Sequence, residues 1–85
     1  MNVLLGEFEV FISEEKKTCL TAFKIDTRYY KDKDDCQKLC EENSKCEYFF
    51  HSSIYRRCML YKDCSSHKDQ RMTGSTYKKM HAGMP

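Results

Sequence analysis

The sequence predicts a small α+β domain in which one α-helix packs on an antiparallel β-sheet and disulfide bonds hold the two together. Six cysteines occur among 85 residues, and an even number in so short a chain is typical of a disulfide framework formed in an oxidising compartment. One segment has the caps of a helix, and others alternate as strands do. A core of this size leaves little surplus stability, because ordering each residue costs roughly 1.5 kcal/mol. We therefore expect one disulfide-rich domain over residues 1–85.

The N-terminal third predicts two strands separated by a charged turn. Residues 7–12 alternate imperfectly between apolar and polar side chains, and residues 20–25 have the same character. Alternation of this kind is typical of a strand with one buried face. The mostly charged residues 13–17 between them predict a turn at the surface.

The best helix signal in the chain covers Asp32–Asn43. Asp32 can cap the first turn, and Asn43 suits the end of the helix. Asp34 and Asp35 follow the cap, where their negative charges complement the positive end of the helix dipole. The segment therefore predicts three turns of helix with a defined start and stop.

Two cysteines of this helix are expected to point inward. Cys36, Leu39 and Cys40 lie on one helical face, because they are spaced i, i+3 and i+4. Two cysteines stacked along one face are poorly oriented to bond to each other. Each of the two therefore needs a partner elsewhere in the chain.

A hairpin is predicted after the helix. Residues 46–51 and 57–62 alternate as its two strands, and Ser52 and Ser53 begin the turn between them. We expect this hairpin to lie beneath the helix and to present its apolar face to it.

The C-terminal part predicts a surface loop and a last strand. Residues 64–75 are polar, and Gly74 within them can take a positive φ. Residues 76–80 predict a final strand, and residues 82–85 a frayed tail.

Charge and hydropathy exclude several classes of partner. The net charge of +2 is too small for a nucleic-acid-binding domain, which concentrates lysine and arginine. No apolar run approaches the length of a membrane span. The apolar residues 3–5 are too few for a signal-peptide core and follow no basic region. We expect no nucleic acid and no membrane insertion, and if the protein is secreted, a mature form or an excised module.

Zinc is the main chemical alternative to disulfides. Four cysteines and three histidines supply enough ligands in principle, but structural zinc sites use two closely spaced pairs. Eleven residues separate Cys46 from Cys58, and two cysteines would remain unused. We therefore predict no metal and no cofactor.

Enzymatic chemistry has little support in the sequence. An even number of paired cysteines leaves no free thiol for a Cys–His nucleophile. No glycine-rich phosphate loop, nucleophile elbow or pair of converging carboxylates occurs. We predict that the protein is not an enzyme and has no catalytic residue.

The cysteines and their surroundings resemble the PAN/apple domain. The helix carries Cys-x-x-x-Cys at Cys36 and Cys40, in the sequence DCQKLC. Cys46 follows in KCEYFF, with an aromatic residue shortly after it, and Cys58 lies in RCML on the return strand. Cys19 supplies a further cysteine-bearing strand upstream. The resemblance covers about residues 19–80.

The resemblance implies a fold and a disulfide pairing. In this family one disulfide joins the helix to the sheet, and another joins the helix to the segment that directly follows it. Apple-type members add a third disulfide between an early and a late segment of the domain. Carried over, the implied pairs are Cys36–Cys58, Cys40–Cys46 and Cys19–Cys64. Because 18 residues precede Cys19 and 21 follow Cys64, either the outer strands pair beyond this bridge or the third pairing differs.

Recognition is the remaining function class, and basic and aromatic residues are its candidates. If the hairpin turn and the terminal strands share one side, they form a patch for an acidic protein surface or an anionic glycan. Tyrosines ahead of the helix can anchor a protein contact or stack on a sugar. The alternatives are that the charges are ordinary solvated ones and that a tyrosine merely covers the sheet. The candidate ligand-binding residues are Lys16, Lys17, Tyr29, Tyr30, Tyr55, Arg56, Arg57, Lys78 and Lys79.

The resemblance also implies a function. PAN/apple domains bind proteins or carbohydrates and occur as tandem units, for example in microneme adhesins. The implied role is an extracellular or secretory-organelle recognition module for cell attachment, joined to neighbouring modules of a larger chain, with a protein receptor as partner. The alternatives are a lectin-like domain for a cell-surface glycan, sulfated glycans included, and an inert spacer.

Overall fold

The computed structural model describes residues 7–80, so the predicted tail 82–85 and the apolar residues 3–5 lie outside the described part. Within residues 7–80, one helix and five strands form an α+β fold in which the sheet is the larger part. The elements are β1 (Phe8–Cys19), a 3₁₀ turn (Thr21–Phe23), β2 (Lys24–Tyr29), α1 (Lys33–Glu42), β3 (Tyr48–Ser52), β4 (Arg57–Tyr61) and β5 (His67–Lys79).

All strand pairs of the sheet are antiparallel, and their spatial order is β1-β5-β3-β4-β2. The predicted hairpin is β3 and β4, in which Phe50 lies opposite Met59. The outer strands β1 and β5 pair from Phe8 with Lys79 to Cys19 with His67. The outer strands therefore do pair beyond Cys19 and Cys64, one of the two possibilities left by the sequence.

The helix is confirmed together with its cap. The Asp32 side chain accepts a hydrogen bond from the backbone N–H of Asp35 at 2.9 Å, and this bond lowers the pKa of the Asp32 carboxyl below its ordinary value of 3.8. The chain leaves the helix at Asn43, whose backbone N–H donates to the carbonyl of Cys40 at 3.2 Å. Local sequence signals thus set both ends of this element.

One face of the sheet is covered by the helix. Its core contains the helix cysteines and the hairpin side chains that point toward them, and Cys36–Cys58 and Cys40–Cys46 are disulfides within it. Phe49 lies at the centre, with its ring 5.0 Å from that of Phe8 and 4.8 Å from that of Tyr77. We call this side the helix face.

The other face is covered by the second half of the outer strands. Residues 70–73 of β5 lie opposite the single residue Lys16 of β1, because the pairing moves from Glu15 with Gly74 to Lys17 with Asp69. This irregularity is larger than an ordinary β-bulge, in which two residues lie opposite one, and extra residues of this kind bend the strand that carries them. Beyond it, residues 16–19 and 67–73, here called the arm, bring Cys19 and Met72 into a second core.

This second core, on what we call the arm face, is closed by the third disulfide, Cys19–Cys64. It also contains Phe50, Met59 and the nearly inaccessible Tyr61. Burial raises the pKa of the Tyr61 phenol above 10.0, although a hydrogen bond from the Thr18 hydroxyl at 2.8 Å opposes that shift. The three disulfides are the pairs that the resemblance implies.

Two predicted connections are in fact strand. The expected turn at 13–17 belongs to β1, and most of the expected loop at 64–75 belongs to β5. Their polar side chains misled the prediction, because most side chains of this part of β1 and β5 are exposed. The second strand also begins later than expected, at Lys24, since residues 21–23 form a 3₁₀ turn.

Gly74 has a packing role rather than a turn role. It is buried in β5, where its φ lies outside the left-handed region. A β-carbon at this position would lie 2.5 Å from the carbonyl oxygen of His51 and would overlap the ring of Phe50. The glycine therefore lets β5 approach β3 closely at the start of the bend.

Candidate functional site

Strand pairing gathers most of the predicted binding residues at one end of the sheet. Tyr29, the last residue of β2, lies opposite Arg57, the first of β4. The turn between β3 and β4 projects at this end, and β5 passes beside it, since His51 of β3 pairs with Ser75. We call residues 29–30, 53–57 and 70–72 the tip.

The backbone of the tip holds two bulky residues in an unusual conformation. The backbone φ is 62° at Tyr30 and 49° at Arg56. Residues with bulky side chains rarely adopt such positive values. A hydrogen bond of 3.0 Å from the backbone N–H of Lys31 to the carbonyl of Arg56 joins the two segments. The ring of the buried His51 supports this link, with its Nε2 2.8 Å from the Lys31 carbonyl. The tip is therefore fixed by backbone contacts.

Large apolar side chains project from the tip into solvent. Tyr30 is 79% exposed and Ile54 is 76% exposed, and Tyr29 and Tyr55 are each 55% exposed. More than half of the surface of Tyr29 and of Tyr30 is therefore accessible to a partner and is not used to cover the sheet. Contiguous exposed apolar side chains on a small domain indicate an interaction surface.

Two arginines among these apolar side chains, Arg57 and Arg71, form no ion pair with any of the described residues. The guanidinium of Arg57 stacks over the ring of Tyr29 at 4.5 Å, and its Nε is buried without a hydrogen-bond acceptor. Across residues 7–80 the one ion pair is Arg28 with Asp26. The positive charges of Arg57 and Arg71 are therefore not neutralised by a carboxylate of the described residues and are available to a ligand.

A shallow cleft of about 380 Å³ opens between the hairpin turn and the bulge of β5. Its walls combine two apolar side chains, two arginines and one amide: Tyr55, Met72, Arg57, Arg71 and Gln70. The bulge creates the cleft, because it turns residues 70–72 away from regular pairing with β1.

The structure divides the predicted binding residues. Tyr29, Tyr30, Tyr55, Arg56 and Arg57 come together at the tip, whereas the expected basic patch also required the lysines of the terminal strands to lie on the same side. Four further members, Ile54, Gln70, Arg71 and Met72, were missed by the sequence reasoning.

The lysines of the outer strands occupy two different places. Lys16 and Lys17 belong to β1 on the far side of β5 from the turn, where they adjoin the tip, since the Gln70 amide donates to the Lys17 carbonyl at 3.4 Å. Lys78 and Lys79 lie at the opposite end of the sheet, because β5 runs away from the tip, and Lys78 pairs there with Tyr48 of β3. The Lys79 ammonium donates to the Asn43 carbonyl at 3.4 Å. The expected single patch therefore does not include Lys78 and Lys79.

All six cysteines are in disulfides. Between residues 7 and 80 no three histidine, cysteine or acidic side chains are grouped so that they could hold a metal ion. No helix in the same range has the length and apolarity to cross a bilayer.

Comparison with known proteins adds no relative. A scan against protein-family models, a search of curated proteins and a search of solved structures each found no match. The PAN/apple resemblance therefore stays a prediction from cysteine spacing and its apolar context.

Proposed function

We propose that this chain is an extracellular, non-enzymatic recognition module that binds a protein partner through the tip. The observation that carries the proposal is the set of four large apolar side chains, each more than half exposed, beside Arg57 and Arg71, which form no ion pair within residues 7–80. Tyrosine and arginine are enriched at the energetic centres of protein interfaces. Three disulfides in a small domain are typical of extracellular proteins.

Rigidity supports the same proposal. The hairpin turn is tied to the end of β2 by the Lys31–Arg56 hydrogen bond, and Tyr29 is held under Arg57. Side chains that are already ordered lose less conformational entropy when a partner binds. In this proposal the module is one unit of a larger attachment protein, in which several copies would gain strength through avidity.

The test is binding of the folded, oxidised protein, displayed as a tetramer, to an array of individually expressed ectodomains. We expect at least one defined ectodomain to bind, and the variants Ile54→Ser and Tyr30→Asn to weaken that binding at least tenfold. Asparagine suits position 30 because it tolerates a positive φ.

The matched control is Val10→Ser. Val10 is 56% exposed but lies in β1, close to the end of the sheet opposite the tip. If Val10→Ser weakens binding as strongly as Ile54→Ser does, or if the array yields no partner, the proposal is wrong.

A lectin-like function is the second candidate, and the cleft favours it. Tyr55 beside Arg57 and Arg71 combines an aromatic surface with positive charge, a combination suited to a sulfated sugar. A glycan array read at two salt concentrations separates this candidate from the first. Sulfated glycans should bind and weaken steeply with salt, and Arg56→Ala and Arg57→Ala should reduce the signal.

A further inference from the structure

We propose that the cleft at the tip takes an acidic side chain of the protein partner together with an adjacent apolar side chain. The inference rests on the proposed function and specifies its chemistry. It commits the cleft to a peptide segment, such as Asp-Leu or Glu-Phe, rather than to a sugar.

The charge of the cleft selects an anion. Arg57 and Arg71 both line it, and neither has a carboxylate partner within residues 7–80. A planar guanidinium offers paired N–H donors that match the two oxygens of a carboxylate. Stacking on Tyr29 at 4.5 Å holds the Arg57 guanidinium in place. A carboxylate therefore meets a donor whose orientation is already fixed.

The apolar walls select what accompanies the anion. Met72 is packed against the arm-face core from one side of the cleft, Tyr55 forms another wall, and Ile54 projects beside it in the hairpin turn. Methionine adapts its shape to different apolar groups. Hydroxyl groups of a sugar would find no hydrogen-bonding partner on the Met72 side of the cleft, whereas an aliphatic or aromatic side chain would bury apolar surface there.

The size of the cleft fits this ligand. A volume of about 380 Å³ lies at the low end of ligand pockets, which span roughly 300–1,000 Å³. The site is therefore suited to one or two side chains of an exposed segment. We expect individual peptides to bind weakly and tandem display to strengthen them.

The experiment titrates the oxidised protein with two short blocked peptides, one containing Asp-Leu and one containing Glu-Phe, and follows backbone amide signals by NMR. We expect shifts confined to the tip, strongest around Tyr55, Arg57 and Arg71. Peptides with Asn or Gln in place of the acid, and peptides with Ser in place of the apolar residue, should each bind at least tenfold more weakly.

Three protein variants complete the test. Arg71→Gln removes one charge, and Arg57→Lys keeps the charge but removes the planar donor pair, so both should weaken the acidic peptides about tenfold, as expected for charge-assisted hydrogen bonds. Lys78→Gln removes a charge at the opposite end of the sheet and should leave the affinity unchanged. Amide spectra of the free variants establish that each is folded.

Two results overturn the inference: no peptide shifts the tip signals, or the amide and acidic peptides bind equally. Tighter binding of a sulfated heparin fragment than of either peptide would assign the cleft to a glycan instead. These outcomes are separable from failure of the proposed function. If ectodomain binding depends on Ile54 and Tyr30 but not on Arg57 or Arg71, the tip still binds a protein and only the acidic ligand is wrong.

Discussion

The two faces of the sheet are closed in different ways. The helix face is covered by one local element, which two disulfides join to the hairpin and to its own exit. The arm face is covered by distant parts of the chain, which meet through the long β1–β5 pairing and a single disulfide. The arm face also contributes Met72 to the cleft. Substitutions on the helix face should therefore change stability alone, whereas those on the arm face should change both stability and recognition.

The largest expected difference between the faces concerns their disulfides. Cys19–Cys64 spans 45 residues and Cys36–Cys58 spans 22. Replacing both cysteines of a pair by alanine should lower the free energy of unfolding by about 4 kcal/mol for the longer loop and about 3 kcal/mol for the shorter one. Opening the longer loop costs more because it gives the unfolded chain more conformational entropy. Urea unfolding of the two double variants measures both values. The reverse order would show that packing of the arm does not depend on its crosslink.

A second prediction adds bulk beside the bend. Gly74→Ala should destabilise the protein by about 1–3 kcal/mol, because the new methyl group overlaps the Phe50 ring and the His51 carbonyl. It should also weaken peptide binding, since β5 must shift next to the cleft. Val10→Ala, on an exposed side chain, is the control and should alter neither property. Unchanged stability of Gly74→Ala would mean that the strands separate there without cost.

A third prediction concerns the polar contact inside the arm face. Thr18→Val keeps the shape of the side chain but removes the hydroxyl that donates to Tyr61, and should cost about 1 kcal/mol. The helix should be retained, which far-ultraviolet circular dichroism can establish. A neutral effect would indicate that Tyr61 finds another donor.

Alkaline pH tests the burial of the Tyr61 phenol, because burial raises its pKa whereas the Thr18 hydrogen bond opposes that shift. Burial raises the pKa of the Tyr61 phenol above 10.0, so its contribution to stability is complete below that pH. The contribution declines as the pH rises through the higher pKa of the folded state, because the unfolded chain loses its proton first. The stability difference between the wild type and Tyr61→Phe should therefore shrink above pH 10.0. A constant difference would contradict the assignment.

The smallest expected effect lies on the helix face. Asp32→Ala removes the cap that receives the Asp35 N–H and should lower the melting temperature slightly, whereas Asp32→Asn should preserve it at neutral pH. The pKa of Asp32 is lowered by this hydrogen bond. Its stabilising contribution is therefore present above pH 3.8 and is lost as the pH falls through the folded-state pKa. The advantage of the wild type over Asp32→Ala should shrink in acid toward that of Asp32→Asn, because the protonated carboxyl still accepts the Asp35 N–H but no longer carries a charge. An advantage of unchanged size in acid would exclude the charge of the cap as a contributor.

Sequence reasoning succeeded where the determining contacts are local. The helix and its cap at Asp32 follow from residues a few positions apart, and the hairpin follows from alternation. The arm could not be predicted in the same way. Its strands pair across most of the chain, and their side chains are mostly polar because one side faces solvent.

The candidate site divides along the same line. Tyr55, Arg56 and Arg57 stand together in the sequence and remain together at the tip. Arg71 and Met72 join them only because a bulge brings β5 beside the hairpin turn, and no short-range pattern encodes that bulge. Lys78 and Lys79 were wrongly grouped with the tip. The direction in which β5 runs past the hairpin decides their position, and that direction depends on the strand order of the whole sheet, which the local sequence does not reveal.

The pairing of Phe8 with Lys79 has a consequence for engineering. The start of β1 and the end of β5 lie side by side. The domain can therefore be inserted into a surface loop of a host protein through two short linkers, with little distortion of that loop. The tip lies at the far end of the sheet from this junction. A graft would therefore present the arginines and tyrosines outward, clear of the host.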